Sequence, residues 1–389
     1  MANDHVSRTT RPDDPHRMVK WSPPYRKENV ELPELDLVDV ERDGPIGRIV
    51  LNSPEKRNPL GYERLLQIEM AAKWLELDDE IRVIILKGEG PSFCAGYDMT
   101  PVPKGERQRN MPQGGYIHPK RDRLWQSYDL EHARVYFTLF DLQKPVIAQI
   151  QGHCLAGGTE LAGFCDLRVV ADDAKIGWPV GRNWSPGNLQ YLPWLVGMTK
   201  AKYYMFTCEP MTGKEAAACQ WASESVPADE LEARTEQLAQ QIALTPTDLI
   251  MLTKRSINRQ FEVMGFRTGI ASSVDLLALS TFRDEGIYAK PDPETGEAGD
   301  EFMKRAERDG LTAAMAWREQ TFGTSTAATT VPTHERRRTT RPVVGGPCRP
   351  PTRKATQHPG YRWRRGACGP VVIWEPGRTL LRTRLQRPR

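Results

Sequence analysis

One segment of the chain, from Lys144 to Val180, constrains the fold more than any other. It reads KPVIAQIQGHCLAGGTELAGFCDLRVVADDAKIGWPV: a strand-like apolar run, a turn of small residues ending in Gly157-Gly158, and a helix start with Glu160 in its first turn. A strand that passes through glycines into a helix leaves backbone N–H groups and the positive end of the helix dipole facing one point. The segment therefore predicts a site that stabilises a developing negative charge, with a carboxylate beside it that can exchange protons.

The segments around this one alternate in the same way between apolar runs of strand length and runs with helical spacing. The predicted elements are strands at 35–40, 46–51, 81–86, 145–150 and 166–171, and helices at 62–77, 127–142, 159–164 and 302–322. Residues 200–223 and 227–262 are also helical in pattern, with 201–206 on a first helix and 231–244 and 247–259 on later ones. Alternation of this kind argues for an α/β layered domain with mainly parallel strands. A long insertion at 100–130, rich in Pro, Gly and cations, is typical of a lid or binding loop, or else of a disordered segment.

The two ends of the chain differ from its middle in composition. Residues 1–34 are rich in Pro, Asp and Arg and lack periodicity, which predicts a disordered or loosely docked arm. Residues 321–389 carry 15 Lys and Arg against two acidic residues, so the rest of the chain has a net charge of −9 although the total is +4. This tail is either an arginine-rich arm that binds nucleic-acid phosphates or a disordered extension without a selected role. The second interpretation is favoured, because Arg outnumbers Lys as it does in GC-rich DNA translated out of frame.

Cysteine usage and hydropathy indicate in which cellular compartment the protein is expected. The seven cysteines form no CxxC pair, and several lie in apolar runs, which favours reduced, buried thiols and a cytoplasmic location. No apolar stretch is long enough to predict a membrane span, and the first residues lack the apolar core of a secretory signal. Metal-ligand spacings, GxGxxG and P-loop motifs are absent from the sequence, which argues against nicotinamide and nucleoside triphosphate chemistry.

Two glycine-containing turns, each after a predicted strand, carry a family resemblance. They read SFCAGYDM at 92–99 and GHCLAGGTELA at 152–162. Together with the NSPEKRNPL loop at 52–60 and the late segment TKRSINRQF, they make residues 36–323 resemble the crotonase family, the enoyl-CoA hydratase/isomerase superfamily. The ordered combination is specific, whereas either turn alone would be weak because such turns occur in many α/β proteins.

The resemblance implies a crotonase-like core of stacked ββα units in a spiral, followed by a helical trimerisation region. The implied boundaries are 35–225 for the core and 226–323 for the trimerisation region, between the N-terminal arm and an Arg/Pro-rich disordered tail at 324–389. The implied partner is an acyl-CoA thioester substrate, with coenzyme A as part of the substrate and no further cofactor. The implied assembly is a homotrimer or a dimer of trimers.

The resemblance also assigns roles to residues of the two turns. The backbone N–H groups of Tyr97 and Gly157 would form an oxyanion hole for a thioester enolate, and Glu160 would be the catalytic acid or base. In the transition state, one such donor is typically worth about 3 kcal/mol. The resemblance further implies a group of residues that bind the substrate and its coenzyme A: Lys56, Arg57, Ala95 and Lys254.

One position departs from the family pattern. Hydratases of the family usually place a second glutamate after the Pro of a strand-end motif, but this chain has Val180 there. The reaction therefore stays open between a hydratase with one carboxylate, an enoyl-CoA isomerase, a decarboxylase and a thioester hydrolase. An RNA-binding homologue with weak catalysis, acting through the basic tail, is a further alternative. The pocket candidates are Asp98, for which helix capping is favoured, Trp178 and Arg182.

Overall fold

The computed structural model describes residues 34–99, 131–182, 186–187, 189–280, 300–322, 364–366 and 369–371. The predicted N-terminal arm, the 100–130 insertion and most of the basic tail lie outside these residues. Contacts between residues divide the chain into two compact units, Met1–Thr329 and Thr330–Arg389.

The first unit contains eight described strands and ten described α-helices. The strands are β1 Val38–Asp43, β2 Ile46–Leu51, β3 Val83–Gly88, β4 Val146–Ile150, β5 His153–Leu155, β6 Leu167–Ala171, β7 Lys175–Gly177 and β8 Glu224–Val226. The helices are α1 Tyr62–Glu76, α2 Glu131–Asp141, α3 Gly157–Gly163, α4 Leu192–Thr207, α5 Gly213–Ala218, α6 Leu231–Ala243, α7 Thr247–Val263, α8 Phe266–Ser280, α9 Glu301–Asp309 and α10 Leu311–Phe322.

Six of these strands form one sheet in the order β1-β2-β3-β4-β6-β8. The hairpin β1–β2 is antiparallel, and every later neighbour in this sheet is parallel. The short strands β5 and β7 pair in parallel as a separate ribbon. The α/β class with a mainly parallel sheet, predicted from the alternation of elements, is therefore confirmed.

The buried faces explain why these segments fold as they do. Every residue of β4 is buried, as expected of a central strand covered on both sides. On α1, the predicted stripe of Leu65, Ile68, Ala72 and Leu75 is at most 1% exposed. Spacing of three and four residues puts these side chains on one helix face, so the helix packs this face into the core.

The helical patterns predicted at 200–223 and 302–322 are each divided in the structure. The first is divided into α4, which ends at Thr207, and α5, which begins at Gly213, because Cys208 between them has a left-handed φ of +55°. The single helix predicted at 302–322 is two helices, α9 and α10, because Gly310 between them has φ +87°, a conformation that a continuing α-helix cannot contain. In addition, α6 contacts β2, β3, β4 and β6. Residues on both sides of the predicted 225/226 boundary therefore share one core.

In the second unit, the described residues form a small antiparallel ribbon of β9 Arg364–Gly366 and β10 Gly369–Val371. The disorder predicted for 324–389 falls mainly on residues outside those described.

We expect a chain truncated after Thr329 to fold like the full chain, because contacts cluster within 1–329 and the cut removes no residue of that unit. Circular dichroism should show the same cooperative thermal transition for both chains. Loss of that transition in the truncated chain would contradict the division.

Candidate active site

The two glycine-containing turns lie side by side, joined by backbone hydrogen bonds. Cys94 N–H donates to the carbonyl of His153 at 2.9 Å, and Leu155 N–H donates back to the carbonyl of Cys94 at 3.0 Å. Turns that are about 60 residues apart in sequence are thereby held as neighbours at the ends of parallel strands, where ligands of open α/β sheets bind.

A third loop, the NSPEKRNPL segment, joins them. Leu60 N–H donates to the Gly96 carbonyl at 2.7 Å, and Asp98 N–H donates to the Leu60 carbonyl at 2.7 Å. Ala95 N–H donates to the Arg57 carbonyl at 2.9 Å. Two residues predicted to bind the substrate or its coenzyme A, Arg57 and Ala95, are thus adjacent, and Asp98 is held by its backbone.

Sequence reasoning missed Asn58, which holds this arrangement together. Its side chain is fully buried, and Nδ2 lies within 3.3 Å of the carbonyls of Glu89, Ser92 and Phe93. Its Oδ1 accepts from Ser53 N–H at 2.8 Å. Asn58 also has φ +53°, a left-handed conformation that Asn tolerates better than most residues. In the sequence, Asn58 stands next to a proline in a loop. Ordinary turns share this pattern, so it does not predict a buried side chain that joins loops.

The second turn enters α3 through a strained residue. Ala156, the residue before the helix, has φ +48° and ψ −118°, outside the regions that L-residues favour. Gly157 is the first helical residue, so its N–H has no acceptor within the helix. A Cβ on Gly157 would lie 2.7 Å from Cε2 of Tyr97. The Tyr97 ring therefore packs directly on Gly157, and the two predicted oxyanion-hole residues are in contact.

Glu160 lies in the first turn of α3 and is 4% exposed. Its Oε2 accepts a hydrogen bond from the Tyr97 hydroxyl at 3.0 Å, and its Oε1 lies 3.4 Å from the backbone N–H of Leu189. The Tyr97 hydroxyl is in turn 2.6 Å from the hydroxyl of Tyr136 on α2. Glu160, Tyr97 and Tyr136 thus form a hydrogen-bonded chain that sequence reasoning did not foresee.

Burial sets the protonation state of Tyr136, at the inner end of these hydrogen bonds, and of Cys94 in the first turn. Burial, followed by the nearby Tyr97 and Glu160, raises the pKa of Tyr136 well above its usual value. Burial also raises the pKa of the Cys94 thiol to about 12. At neutral pH, Tyr136 is therefore a phenol that can donate a hydrogen bond, and Cys94 is a thiol rather than a nucleophilic thiolate.

His153 stands just before the second turn. Burial lowers its pKa, and the nearby cations Arg57 and Lys175 lower it further, so the ring is neutral at pH 7. Its Nδ1 lies 3.2 Å from Oγ of Ser92 in the first turn. The contact is consistent with a histidine that links the two turns.

Val180, where the family pattern has a glutamate, lies in a short 3-10 helix, Pro179–Gly181. It packs in an apolar cluster made with the α9–α10 hairpin. The cluster consists of the buried residues Phe302, Ala306 and Ala314 and the partly buried residues Met99, Val180, Met303, Leu311, Met315 and Trp317. Position 180 is therefore occupied by an apolar side chain in an apolar cluster, and valine cannot activate a water molecule.

The pocket candidates Trp178 and Arg182 flank Val180 and are both buried. The Trp178 ring meets Trp221 edge-on, with 6.3 Å between ring centroids. Arg182 donates to Glu319 at 2.8 Å and to the Cys208 carbonyl at 3.1 Å. These contacts anchor the Val180 segment, and a direct role of either residue in the pocket stays a prediction.

The cations predicted to bind coenzyme A lie in two different environments. Lys56 and Arg57 are exposed on the loop beside the first turn. Lys254 is 8% exposed, and its ammonium lies 2.7 Å from Asp166 and 3.1 Å from the Lys144 carbonyl. The Lys254 charge is therefore compensated inside the fold, and its role in binding phosphate stays a prediction.

The described residues contain no group of three or more His, Cys, Asp or Glu side chains placed to hold a metal ion. Among the described helices, none has both the length and the apolar character needed to span a membrane.

Comparison with known proteins places this fold and its paired turns in a family. The sequence profile of the enoyl-CoA hydratase/isomerase family matches residues 41–290. The chain is 32% identical to a putative enoyl-CoA hydratase of Mycobacterium tuberculosis, over 59% of this chain and 74% of the relative. It is 30% identical to the short-chain-enoyl-CoA hydratase of Clostridium acetobutylicum, over 58% of this chain and 82% of the relative.

Solved structures agree with the sequence comparison. An enoyl-CoA hydratase/isomerase from Xanthobacter autotrophicus superposes with a TM-score of 0.62 at 26% identity, covering 74% of this chain and 98% of the other. An enoyl-CoA hydratase from Mycobacterium smegmatis gives a TM-score of 0.63 at 26% identity, covering 76% and 98%. The chain belongs to the enoyl-CoA hydratase/isomerase family and is an enzyme of that type.

Proposed function

We propose that the protein catalyses proton transfer at the α-carbon of an acyl-CoA thioester through an enolate. The N–H groups of Tyr97 and Gly157 hold the thioester oxygen, and Glu160 takes or gives the proton. The observation that carries this proposal is the position of Glu160, one helical turn after Gly157 and in contact with Tyr97 through a 3.0 Å hydrogen bond. Tyr97 contacts both Gly157 and Glu160, and this contact supports a site in which the proposed donors and the carboxylate act on one substrate.

Migration of a double bond in an enoyl-CoA is the reaction that this site supports best. Isomerisation moves a proton from one carbon to another and needs no activated water. Val180 and the described apolar side chains packed against it favour isomerisation, because a valine cannot act as the second carboxylate that water addition uses in the family. Hydration is the second candidate, since the relatives reported above are named hydratases.

Parallel assays distinguish these reactions. The protein is incubated with a 3-enoyl-CoA, to follow formation of the conjugated 2-enoyl-CoA, and with a 2-enoyl-CoA, to follow hydration. We expect isomerisation to exceed hydration. Release of free thiol from either substrate would instead indicate hydrolysis, and the absence of all three reactions across acyl chains of different length would contradict the proposal.

Coenzyme A binding is proposed to use the exposed cations Lys56 and Arg57 beside the first turn. Phosphates attract clustered cations through charge-assisted hydrogen bonds. The same loop is bonded to the first turn through Ala95, so a nucleotide bound there would lie next to the oxyanion donors.

We further propose that the protein self-associates through apolar side chains on three helices. These side chains are more than half exposed in the isolated chain: Met198, Phe206, Leu252, Ile257, Val263, Leu276 and Leu279. Apolar surface left exposed to this extent commonly marks an interface.

Size-exclusion chromatography with light scattering should therefore give the mass of an oligomer, with a trimer expected. Leu252→Glu combined with Val263→Glu should shift the protein to a monomer, because charges would be buried in the interface. Met70→Glu, an exposed apolar residue on α1, is the matched control and should leave the mass unchanged. A monomeric wild-type protein would contradict this part of the proposal.

A further inference from the structure

The side chain of Tyr97 has no place in the reaction described so far, which uses only its backbone N–H. Yet its ring packs on Gly157, and its hydroxyl is hydrogen-bonded to Glu160 at 3.0 Å. Glu160 is 4% exposed and Tyr136 is fully buried, whereas Tyr97 is partly exposed. Of the three polar side chains in this hydrogen-bonded chain, Tyr97 is therefore the outermost.

We propose that the Tyr97 hydroxyl is a catalytic acid/base that works in relay with Glu160 and takes the place of the second carboxylate that Val180 does not supply. This inference rests on the proposed function, because it concerns the same enolate. It follows from geometry: a thioester oxygen held between the N–H groups of Tyr97 and Gly157 would bring the acyl chain against the Tyr97 ring.

The relay balances without any further reactant. Glu160 takes a proton from the α-carbon of a 3-enoyl-CoA, and the electron pair of that C–H bond forms the enolate. Electrons then return from the enolate oxygen, the double bond moves to the α,β position, and the γ-carbon takes the proton of the Tyr97 hydroxyl. Protonated Glu160 returns its proton to the Tyr97 oxygen across their hydrogen bond, so both groups end as they began.

Tyr136 makes this step feasible. Tyr97 has one hydroxyl proton, and it donates that proton to Glu160. In the 2.6 Å contact between the two tyrosines, Tyr136 must then be the donor. Because the pKa of Tyr136 is raised well above its usual value, Tyr136 keeps its proton. A donor fixed in this way stabilises negative charge on the Tyr97 oxygen during the transfer.

The test measures turnover and proton exchange on the same substrate. The full-length protein is incubated with a 3-enoyl-CoA in D₂O, and NMR follows both the 2-enoyl product and deuterium at the α-carbon of remaining substrate. In Tyr97→Phe, we expect product formation to fall about 10²- to 10⁴-fold, the usual contribution of one acid/base group. Exchange at the α-carbon should persist within about tenfold of wild type, because Glu160 is still present and can return deuterium to the same carbon.

A matched control removes the same chemical group elsewhere. Tyr203 is 49% exposed, and its hydroxyl donates to Glu209 at 2.8 Å, so Tyr203→Phe also breaks a phenol–carboxylate bond. It should leave turnover and exchange at wild-type levels. Phenylalanine keeps the aromatic ring, so each variant loses only the hydroxyl group. Thermal melting of both variants checks that each is folded.

Two outcomes would overturn the role of Tyr97. Turnover within about threefold of wild type in Tyr97→Phe would show that the hydroxyl transfers no proton. Equal losses of turnover and exchange would show that Tyr97 only positions Glu160. Failure of the proposed function itself looks different, because Glu160→Gln would then exchange the α-proton as fast as wild type.

Discussion

Glu160→Gln should lower kcat for enoyl-CoA conversion by about 10²- to 10⁴-fold and leave KM nearly unchanged. The glutamine amide has the same size and can still accept the hydrogen bond from Tyr97, but it cannot take a proton from carbon. Because Glu160 is 4% exposed, bulk water has little access to replace it as a base. The measurement is steady-state kinetics with a 3-enoyl-CoA and a 2-enoyl-CoA, together with α-proton exchange in D₂O.

A second buried glutamate provides the control for this variant. Glu69 on α1 is 5% exposed and forms an ion pair with Lys73 at 2.5 Å and another with Arg134. Glu69→Gln also neutralises a buried carboxylate, so it should lower stability. It should leave kcat unchanged, because its partners Lys73, Arg134 and the Thr138 hydroxyl have no part in the proposed reaction. A Glu160→Gln protein with wild-type kcat would remove Glu160 from the reaction.

Much of the fold followed from local patterns in the sequence. Apolar runs of strand length and helical spacing gave the order of the first elements, and the ends of β2 and the start of α1 agree with the predicted positions. Periodicity works here because each element buries one face or both, and burial is what the pattern records. It could not place the break at Gly310, since a glycine within a helical pattern is often tolerated.

The site was predictable where it depends on backbone and not where it depends on distant side chains. The two turns and Glu160 could be predicted because glycines and a helix start are local features. The bond between Tyr97 and Glu160 joins residues that are 63 apart in sequence, and nothing local to either residue indicates it. The buried contacts of Asn58 were hidden for the same reason, because they depend on how three loops converge.

Lys254 is a different case: the family motif predicts a residue that binds coenzyme A, and the structure shows contacts of this residue within the fold that no local pattern indicated. The lysine lies on α7, and its ammonium contacts the carboxylate of Asp166 at 2.7 Å and the carbonyl of Leu139 at 3.3 Å. Asp166 also accepts from the N–H of Val146 at the start of the central strand. The ion pair therefore connects a peripheral helix to the sheet.

Lys254→Met should lower the free energy of unfolding by about 3–5 kcal/mol, the usual cost of leaving one partner of a buried ion pair without the other. Denaturant titration measures this change. Lys87→Met is the control, because Lys87 pairs with Glu232 at 2.8 Å where the glutamate side chain is 77% exposed. Loss of that exposed pair should cost no more than about 1 kcal/mol.

The dependence of this effect on pH identifies its cause. Burial raises the pKa of Asp166, and Lys254 opposes the shift, so removing Lys254 should raise that pKa further. A carboxyl whose pKa is higher in the folded state than in the unfolded state stabilises the fold when protonated and loses that contribution as pH rises. The destabilisation by Lys254→Met should therefore be largest at neutral pH and shrink as pH falls and Asp166 takes a proton, which it does at a higher pH than an unperturbed carboxyl because its pKa is raised. If Lys254 instead bound coenzyme A phosphate, Lys254→Met would raise KM and leave stability unchanged at every pH.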